Sequence, residues 1–170
     1  MSKLNLISKN YYLATIHRQS NTDIKENLQS LVDSLCSIKG VVVLPLHPRT
    51  EKMLKQFNLY EKLKTKIIII EPVGYFDMLI LEKNAKMILT DSGGIQKEAY
   101  FFKVPCVTLR DTTEWVETIE DGWNILVHCD QSKILNAINN FNPNMNKHKN
   151  KYGLGNASEK IVNELISVCD

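Results

Sequence analysis

The densest chemistry in this sequence lies in Ile88-Leu89-Thr90-Asp91-Ser92-Gly93-Gly94-Ile95-Gln96-Lys97-Glu98-Ala99. An apolar run ends at Thr90, a polar turn follows, and helix-forming residues resume at Ile95. A turn of this kind leaves free backbone N–H groups at the start of a helix, where partial positive charge suits an anion. Paired glycines have no Cβ to keep a phosphate away from those groups, and Ser92 is a preferred N-cap type. Glu98, four residues beyond Gly94, returns to nearly the same helix face, where its carboxylate can accept hydrogen bonds from ribose hydroxyls. Ser92, Gly93, Gly94 and Glu98 are therefore candidate substrate-binding residues. A tight strand-to-helix turn with a capping serine is the plain structural alternative. The segment is neither GxGxxG nor a P-loop with its Lys-Ser/Thr, so dinucleotide and ATP-type readings have no motif behind them.

Other reactive side chains also follow apolar runs. An imidazole titrates near neutrality, so His17 suits proton transfer or a hydrogen bond to phosphate. Without further support, His17-Arg18 is a solvated turn and Asn21 a helix cap. His47 precedes Pro48, which holds it extended. Arg110 offers bidentate, charge-assisted contacts to a diphosphate, and Thr113 a hydroxyl or a backbone N–H. Tyr75, Met78 and Leu79 read as core packing.

These residues need elements to position them. Tyr11 to Ile16, Val41 to Leu46, Lys66 to Ile70, Lys86 to Leu89 and Pro105 to Leu109 read as strands, with a short sixth at Asn124 to Val127. They are rich in Val and Ile with little alternation, the pattern of a parallel sheet covered on both faces. Helices are predicted over Asp23 to Ser37, Thr50 to Phe57, Tyr75 to Lys83, Gly94 to Phe102, Thr113 to Asp121 and Ser132 to Phe141. In the first, Ile24, Leu28, Leu31, Val32 and Leu35 form an apolar stripe at helical spacing. The polar stretch 142–152 reads as an exposed loop, and Ala157 to Val168 as a terminal helix. This rhythm predicts an α/β doubly wound parallel sheet, Rossmann-like, with ligands bound beyond the carboxyl ends of its strands.

Composition narrows the classes. The 170 residues suit one domain with a substantial core. A net charge of +2 argues for neither nucleic acid nor membrane as partner. Wholly apolar runs such as Ile67 to Ile70 are no more than strand-sized. Met1 to Asn10 lacks the apolar core of a signal peptide, so a cytoplasmic location is expected. Cys36, Cys106, Cys129 and Cys169 are widely spaced and read as reduced core thiols; no metal or cofactor is expected.

Thr90-Asp91-Ser92-Gly93-Gly94-Ile95-Gln96-Lys97-Glu98-Ala99 closely resembles the TDSGGIQEEA signature of non-hydrolysing UDP-N-acetylglucosamine 2-epimerases. Thr15-Ile16-His17-Arg18-Gln19-Ser20-Asn21 is similar to that family's T-x-H-R-x-x-N turn, and Pro45-Leu46-His47-Pro48 to its PxHP turn. Glu71-Pro72-Val73-Gly74-Tyr75 resembles the Pro-x-x-Tyr loop near the uracil, Arg110-Asp111-Thr112-Thr113-Glu114 the RxxTE motif, and Tyr152-Gly153-Leu154-Gly155-Asn156-Ala157 the closing GxGxA segment. The motifs occur in family order along nearly the whole chain.

The resemblance implies the C-terminal half of a two-domain, GT-B-type fold, with residues 1–170 as the UDP-sugar-binding domain and an N-terminal domain, in the same chain or a separate subunit, as partner. A homodimer of the full enzyme is also implied. It makes His17 the substrate-contacting catalytic candidate and Arg18, His47, Val73, Met78, Ser92, Gly93, Gly94, Glu98, Arg110 and Thr113 substrate-binding, with Val73 at the uracil and Met78 against the base. The implied reaction inverts C2 of the sugar by elimination and re-addition of UDP. The family's carboxylates for the C2 proton lie mainly in the other domain, so this chain alone is expected to bind UDP weakly and not to turn over. Trp115 stands where many members carry arginine. Together with Lys97 and Pro105-Cys106-Val107-Thr108-Leu109, it also resembles a branch acting on diacetamido-uronic acid sugars. A GT-B glycosyltransferase donor domain and a non-catalytic UDP-sugar sensor remain alternative readings.

Overall fold

The computed structural model describes residues 4–169. Six parallel strands form one sheet: β1 (Tyr11–Thr15), β2 (Val41–Pro45), β3 (Ile68–Ile70), β4 (Met87–Thr90), β5 (Cys106–Thr108) and β6 (Asn124–Leu126). Their order is β3-β2-β1-β4-β5-β6, so the chain winds outward from β1 to one edge and returns to build the other half from β4. The predicted doubly wound sheet is thus present, with its switch point between β1 and β4.

Alternate residues of each strand feed two cores. Tyr12, Ala14, Val42, Leu44, Met87, Leu89 and Val107 face α2 (Lys25–Ser37), α3 (Pro48–Gln56), α4 (Tyr60–Lys64) and α8 (Gln131–Asn140). Tyr11, Leu13, Val43, Ile88 and Cys106 face α5 (Tyr75–Asn84) and α6 (Gly93–Phe101). Burial on both sides explains the near-continuous apolar runs of the strands.

Register matters most at the switch point. Thr15 pairs directly with Thr90, and their hydroxyls bond at 2.6 Å in the interior. The two central strands therefore end side by side, and the loops that follow them emerge as neighbours.

The structure departs from the sequence reading at several boundaries. A short helix, α1 (Gln19–Thr22), fills the turn after β1, and α2 starts at Lys25 rather than Asp23. Asn21 caps neither helix, because its side chain is buried and turned into the switch point. Pro48 starts α3 two residues early, as suits a residue favoured in the first helical turn. The helix α4 was not expected. The helix α7 is only Val116–Glu120, because Thr113 to Trp115 form a turn over α6 instead.

The stretch 142–152 is largely irregular, with one 3-10 turn at Met145–Lys147, yet it is pinned rather than wholly exposed. His148 stacks on Tyr100 at 4.2 Å, meets Trp123 edge-on and bonds the Tyr100 carbonyl through Nε2 at 2.8 Å. The last helix, α9 (Ala157–Cys169), presents Ile161, Val162, Leu165 and Ile166 to solvent. Cys106 and Cys129 are buried free thiols and Cys36 is a half-buried one; the Cys169 side chain lies outside the described residues. Among the described residues, no helix is long and apolar enough to cross a membrane.

Candidate functional site

Asp91 is the centre of the switch point. Its carboxylate is fully buried. It accepts from the main-chain N–H of His17 at 3.0 Å and of Arg18 at 3.0 Å, and from the Asn21 amide at 3.1 Å. His17 Nδ1 lies 3.0 Å from its other oxygen. Asn21 also donates to the Leu109 carbonyl at 2.9 Å and accepts from the Cys129 thiol at 3.3 Å. One carboxylate and one amide thus tie together the segments that follow β1, β4, β5 and β6.

Burial acts most strongly on Asp91 and pushes its carboxyl up. The His17 ring and the main-chain N–H groups of Arg18 and His17 outweigh it and hold the group below the usual carboxylate range. An ionised Asp91 only accepts, so Nδ1 of His17 carries a hydrogen, and in the neutral ring Nε2 keeps its lone pair. His47 is arranged the opposite way. It occupies the N-cap position of α3, where Nδ1 accepts from the Arg49 N–H at 3.2 Å. Neutral His47 therefore carries its hydrogen on Nε2. The rings lie 5.9 Å apart and line one hollow of about 140 Å³ together with Pro45, Val73, Met78 and Ile95. A ligand there meets one imidazole acceptor and one imidazole donor against an apolar wall.

The anion cradle adjoins this hollow through α6. Ser92 stands at the N-cap position, but its side chain caps nothing; the first bond of the helix runs from Gln96 N to Ser92 O at 3.2 Å. The N–H groups of Gly93, Gly94 and Ile95 precede that bond and the serine hydroxyl is uncommitted, so four donors converge. Thr90 Oγ1 accepts from Ser92 N at 2.9 Å and fixes the entry to the turn.

A carboxylate hangs over the cradle. A methyl group added at Gly93 would come within 2.6 Å of Glu114 Oε1 and 3.4 Å of Trp115 Nε1. Arg110 lies 2.9 Å and Arg18 3.8 Å from Glu114, and Arg18 Nε also donates to the Asp91 carbonyl at 2.9 Å. The bond to its own main-chain N–H holds Glu114 below the usual range, with the two arginines adding to the effect against desolvation. Two cations and a helix N-terminus therefore face the same small volume.

Buried polar groups place that lid. Thr113 Oγ1 donates to Gln96 at 2.6 Å and accepts from Trp115 N at 3.0 Å, so its hydroxyl is committed within the protein. Gln96 also accepts from Asn124 at 3.3 Å. The ammonium of Lys97 sits over the Trp115 ring at 4.7 Å and the Tyr152 ring at 5.0 Å, which fixes the indole beside Gly93. Glu98, half-buried on α6, faces the N-terminal end of α5, where it acts on the Tyr75 hydroxyl.

Ten of the eleven residues singled out from sequence fall into two adjoining groups. His17, His47, Val73 and Met78 share the hollow, while Arg18, Ser92, Gly93, Gly94, Arg110 and Thr113 gather at or beside the cradle. Glu98 stands one turn further along α6. Sequence reasoning named Asp91 and Asn21 within motifs but missed their joint role. It also missed Glu114 as partner of both arginines. One signal was available for Asp91: an acidic residue directly after a buried strand must find donors or lose its charge.

Replacing Asp91 with Asn presents an N–H to donors that need an acceptor. Asp91→Asn is expected to lower stability by about 1–3 kcal/mol at pH 7 in urea unfolding. Because the native pKa is depressed, the wild-type advantage is complete above the unfolded value of about 4 and is lost as pH falls through the native one. The difference between the two proteins should therefore close on acidification.

Residues 1–166 match the family described as UDP-N-acetylglucosamine 2-epimerase. A UDP-N-acetylglucosamine 2-epimerase homolog of Methanococcus maripaludis is 53% identical over 97% of this chain and 47% of its own length. The UDP-2,3-diacetamido-2,3-dideoxy-D-glucuronate 2-epimerase of Pseudomonas aeruginosa is 41% identical over 93% of the chain and 45% of its length. The crystal structure of Methanocaldococcus jannaschii UDP-GlcNAc 2-epimerase in complex with UDP-GlcNAc and UDP superposes with a TM-score of 0.87 at 46% identity, covering 98% of this chain and 48% of that one. The chain thus spans about half the length of the relatives it matches. A Rossmann-like sheet, the ordered motifs and these likenesses agree: the chain belongs to the UDP-N-acetylglucosamine 2-epimerase family.

Proposed function

We propose that this chain is the UDP-holding half of an epimerase that inverts C2 of a UDP-N-acetylglucosamine-type sugar. The observation that carries the reading is the uncommitted donor set at Ser92, Gly93, Gly94 and Ile95, with Arg18 and Arg110 beside it. In the proposed reaction the C2 proton leaves, the bond from C1 to the UDP oxygen breaks, and a glycal forms. UDP then adds back to C1 while C2 takes a proton on its other face. Expelling UDP places negative charge on the β-phosphate, where fixed N–H donors stabilise it without reorganising.

Each residue then has a task. The arginines leave Glu114 for the phosphates, and Glu98 accepts from the ribose hydroxyls. Main-chain groups around Val73 meet the uracil, with Met78 against the base. His17, aimed by Asp91, contacts the reacting sugar, and His47 donates beside it. Thr113 is left with its backbone rather than its hydroxyl. The base for the C2 proton comes from a second domain, and the chain alone is expected to hold UDP weakly and not turn over. The exposed stripe Ile161, Val162, Leu165 and Ile166 on α9 supports such a partner, since an apolar helix face of this extent calls for cover. Trp115 in place of arginine, stacked under Lys97, favours one second reading, in which the sugar is a diacetamido-uronic acid.

Calorimetric titration is expected to show uridine diphosphate binding in preference to ADP; no binding at millimolar ligand, or no preference for uridine, contradicts the reading. Glu98→Ala should weaken UDP by about 1–2 kcal/mol, and unchanged affinity would make Glu98 structural. Adding an N-terminal domain should yield epimerisation, and the better of the two sugars in that assay identifies the substrate. Sugar transfer to an acceptor would mark a glycosyltransferase donor domain instead, and intact binding without turnover a sensor.

A further inference from the structure

Glu82 has no part in the chemistry above. It lies on α5 at the α5–α6 contact and is fully buried. As an ionised carboxylate it would find no donor: neither oxygen accepts a hydrogen bond from any group among the described residues. A leucine there would fill the same core beside Leu81 and Ala85 without removing a polar group from water. The one charged group that bears on Glu82 is the Glu98 carboxylate across the helix contact.

We propose that Glu82 is a positioning residue: it keeps its proton and offers it to Glu98, holding Glu98 ionised and aimed as the acceptor for the ribose hydroxyls. This rests on the reading of Glu98 given above. Two carboxyls sharing one site cannot both ionise, and the buried member keeps the proton because its charged form has no solvent. Glu98, which reaches solvent, takes the negative charge. An O–H to carboxylate bond is short and strong, and so fixes the direction of the remaining Glu98 lone pairs. Burial first, and Glu98 second, push Glu82 up to about 8.

Three titratable groups face it: Glu98 from α6, Tyr75 from α5 and Cys106 from β5. Burial pushes the Cys106 thiol up to about 12, and the Tyr75 hydroxyl is raised by Glu98. Both are neutral across the working range. Above the Glu82 titration the two carboxylates repel, and Glu98 is driven from its place.

The test is calorimetric titration of UDP into wild type, Glu82→Gln and Glu82→Met at pH 6.5, 7.5 and 9. Glutamine keeps a neutral donor at every pH, so its profile carries only the titration of the ligand. Wild type is expected to lose at least threefold more affinity than Glu82→Gln between pH 7.5 and 9. Glu82→Met should bind several-fold more weakly than both at pH 6.5. Parallel profiles for wild type and Glu82→Gln, or a Met variant as tight as wild type, overturn the proposal. If UDP binds to none of the three, the UDP reading fails and melting temperatures test the proton separately. With the native value raised above the unfolded one, wild-type stability relative to Glu82→Gln must fall from about pH 4.5 to about 8 and then level. A difference that does not change with pH shows that Glu82 holds no such proton.

Discussion

The site depends on one buried charge. Asp91 lies at the end of a central strand, where water cannot reach it, and an unpaired carboxylate there would be prohibitively costly. The sheet solves this locally by turning the backbone of His17 and Arg18 toward it and burying Asn21 alongside. Those same bonds fix where the β1 loop goes, which tautomer His17 adopts and how far Arg18 reaches. A need imposed by desolvation thereby sets the geometry of the groups proposed to meet a ligand. The register of Thr15 on Thr90 brings the two loops together in the first place.

A second constraint concerns charge. Arg18, Arg110 and the N-terminus of α6 concentrate positive potential around the Glu114 carboxylate. That carboxylate stands over Gly93, where the proposed function puts a phosphate, and is partly exposed. Behind it, a buried chain of hydrogen bonds through Thr108, Asn124, Gln96 and Thr113 holds the Trp115 turn against α6. The network is polar throughout its length, so it gives the lid a direction that apolar packing alone would not.

The sheet was legible from sequence because strands buried on both faces have to read as apolar runs, and Val41-Val42-Val43-Leu44 and Ile67 to Ile70 admit few other folds. The glycine turn was legible because an anion cradle of the proposed kind needs residues without side chains. Short helices were not. The four residues Gln19–Thr22 carry no apolar periodicity, and Asn21, a frequent cap, is instead held by Asp91 and the Leu109 carbonyl, partners 70 and 88 positions away. Sequence separation of that size hides such pairs from local patterns. The same holds for the 142–152 stretch, whose composition reads as loop while His148 and Tyr152 tie it to Tyr100 and Trp115. Glu82 was hidden too, since a charged residue in a helix reads as surface until the fold buries it.

In the proposed function an anionic uridine nucleotide sits at the β1–β4 switch point on the free N–H groups of α6. Amide chemical-shift mapping by NMR on addition of UDP tests this most directly. The largest perturbations are expected at Ser92, Gly93, Gly94 and Ile95, with His17 and Arg18 following at the same ligand concentration. Perturbations centred instead on the hollow at the α3–α4 turn, lined by Lys55, Asn58, Tyr60 and Glu61, with the α6 amides unmoved, would contradict it.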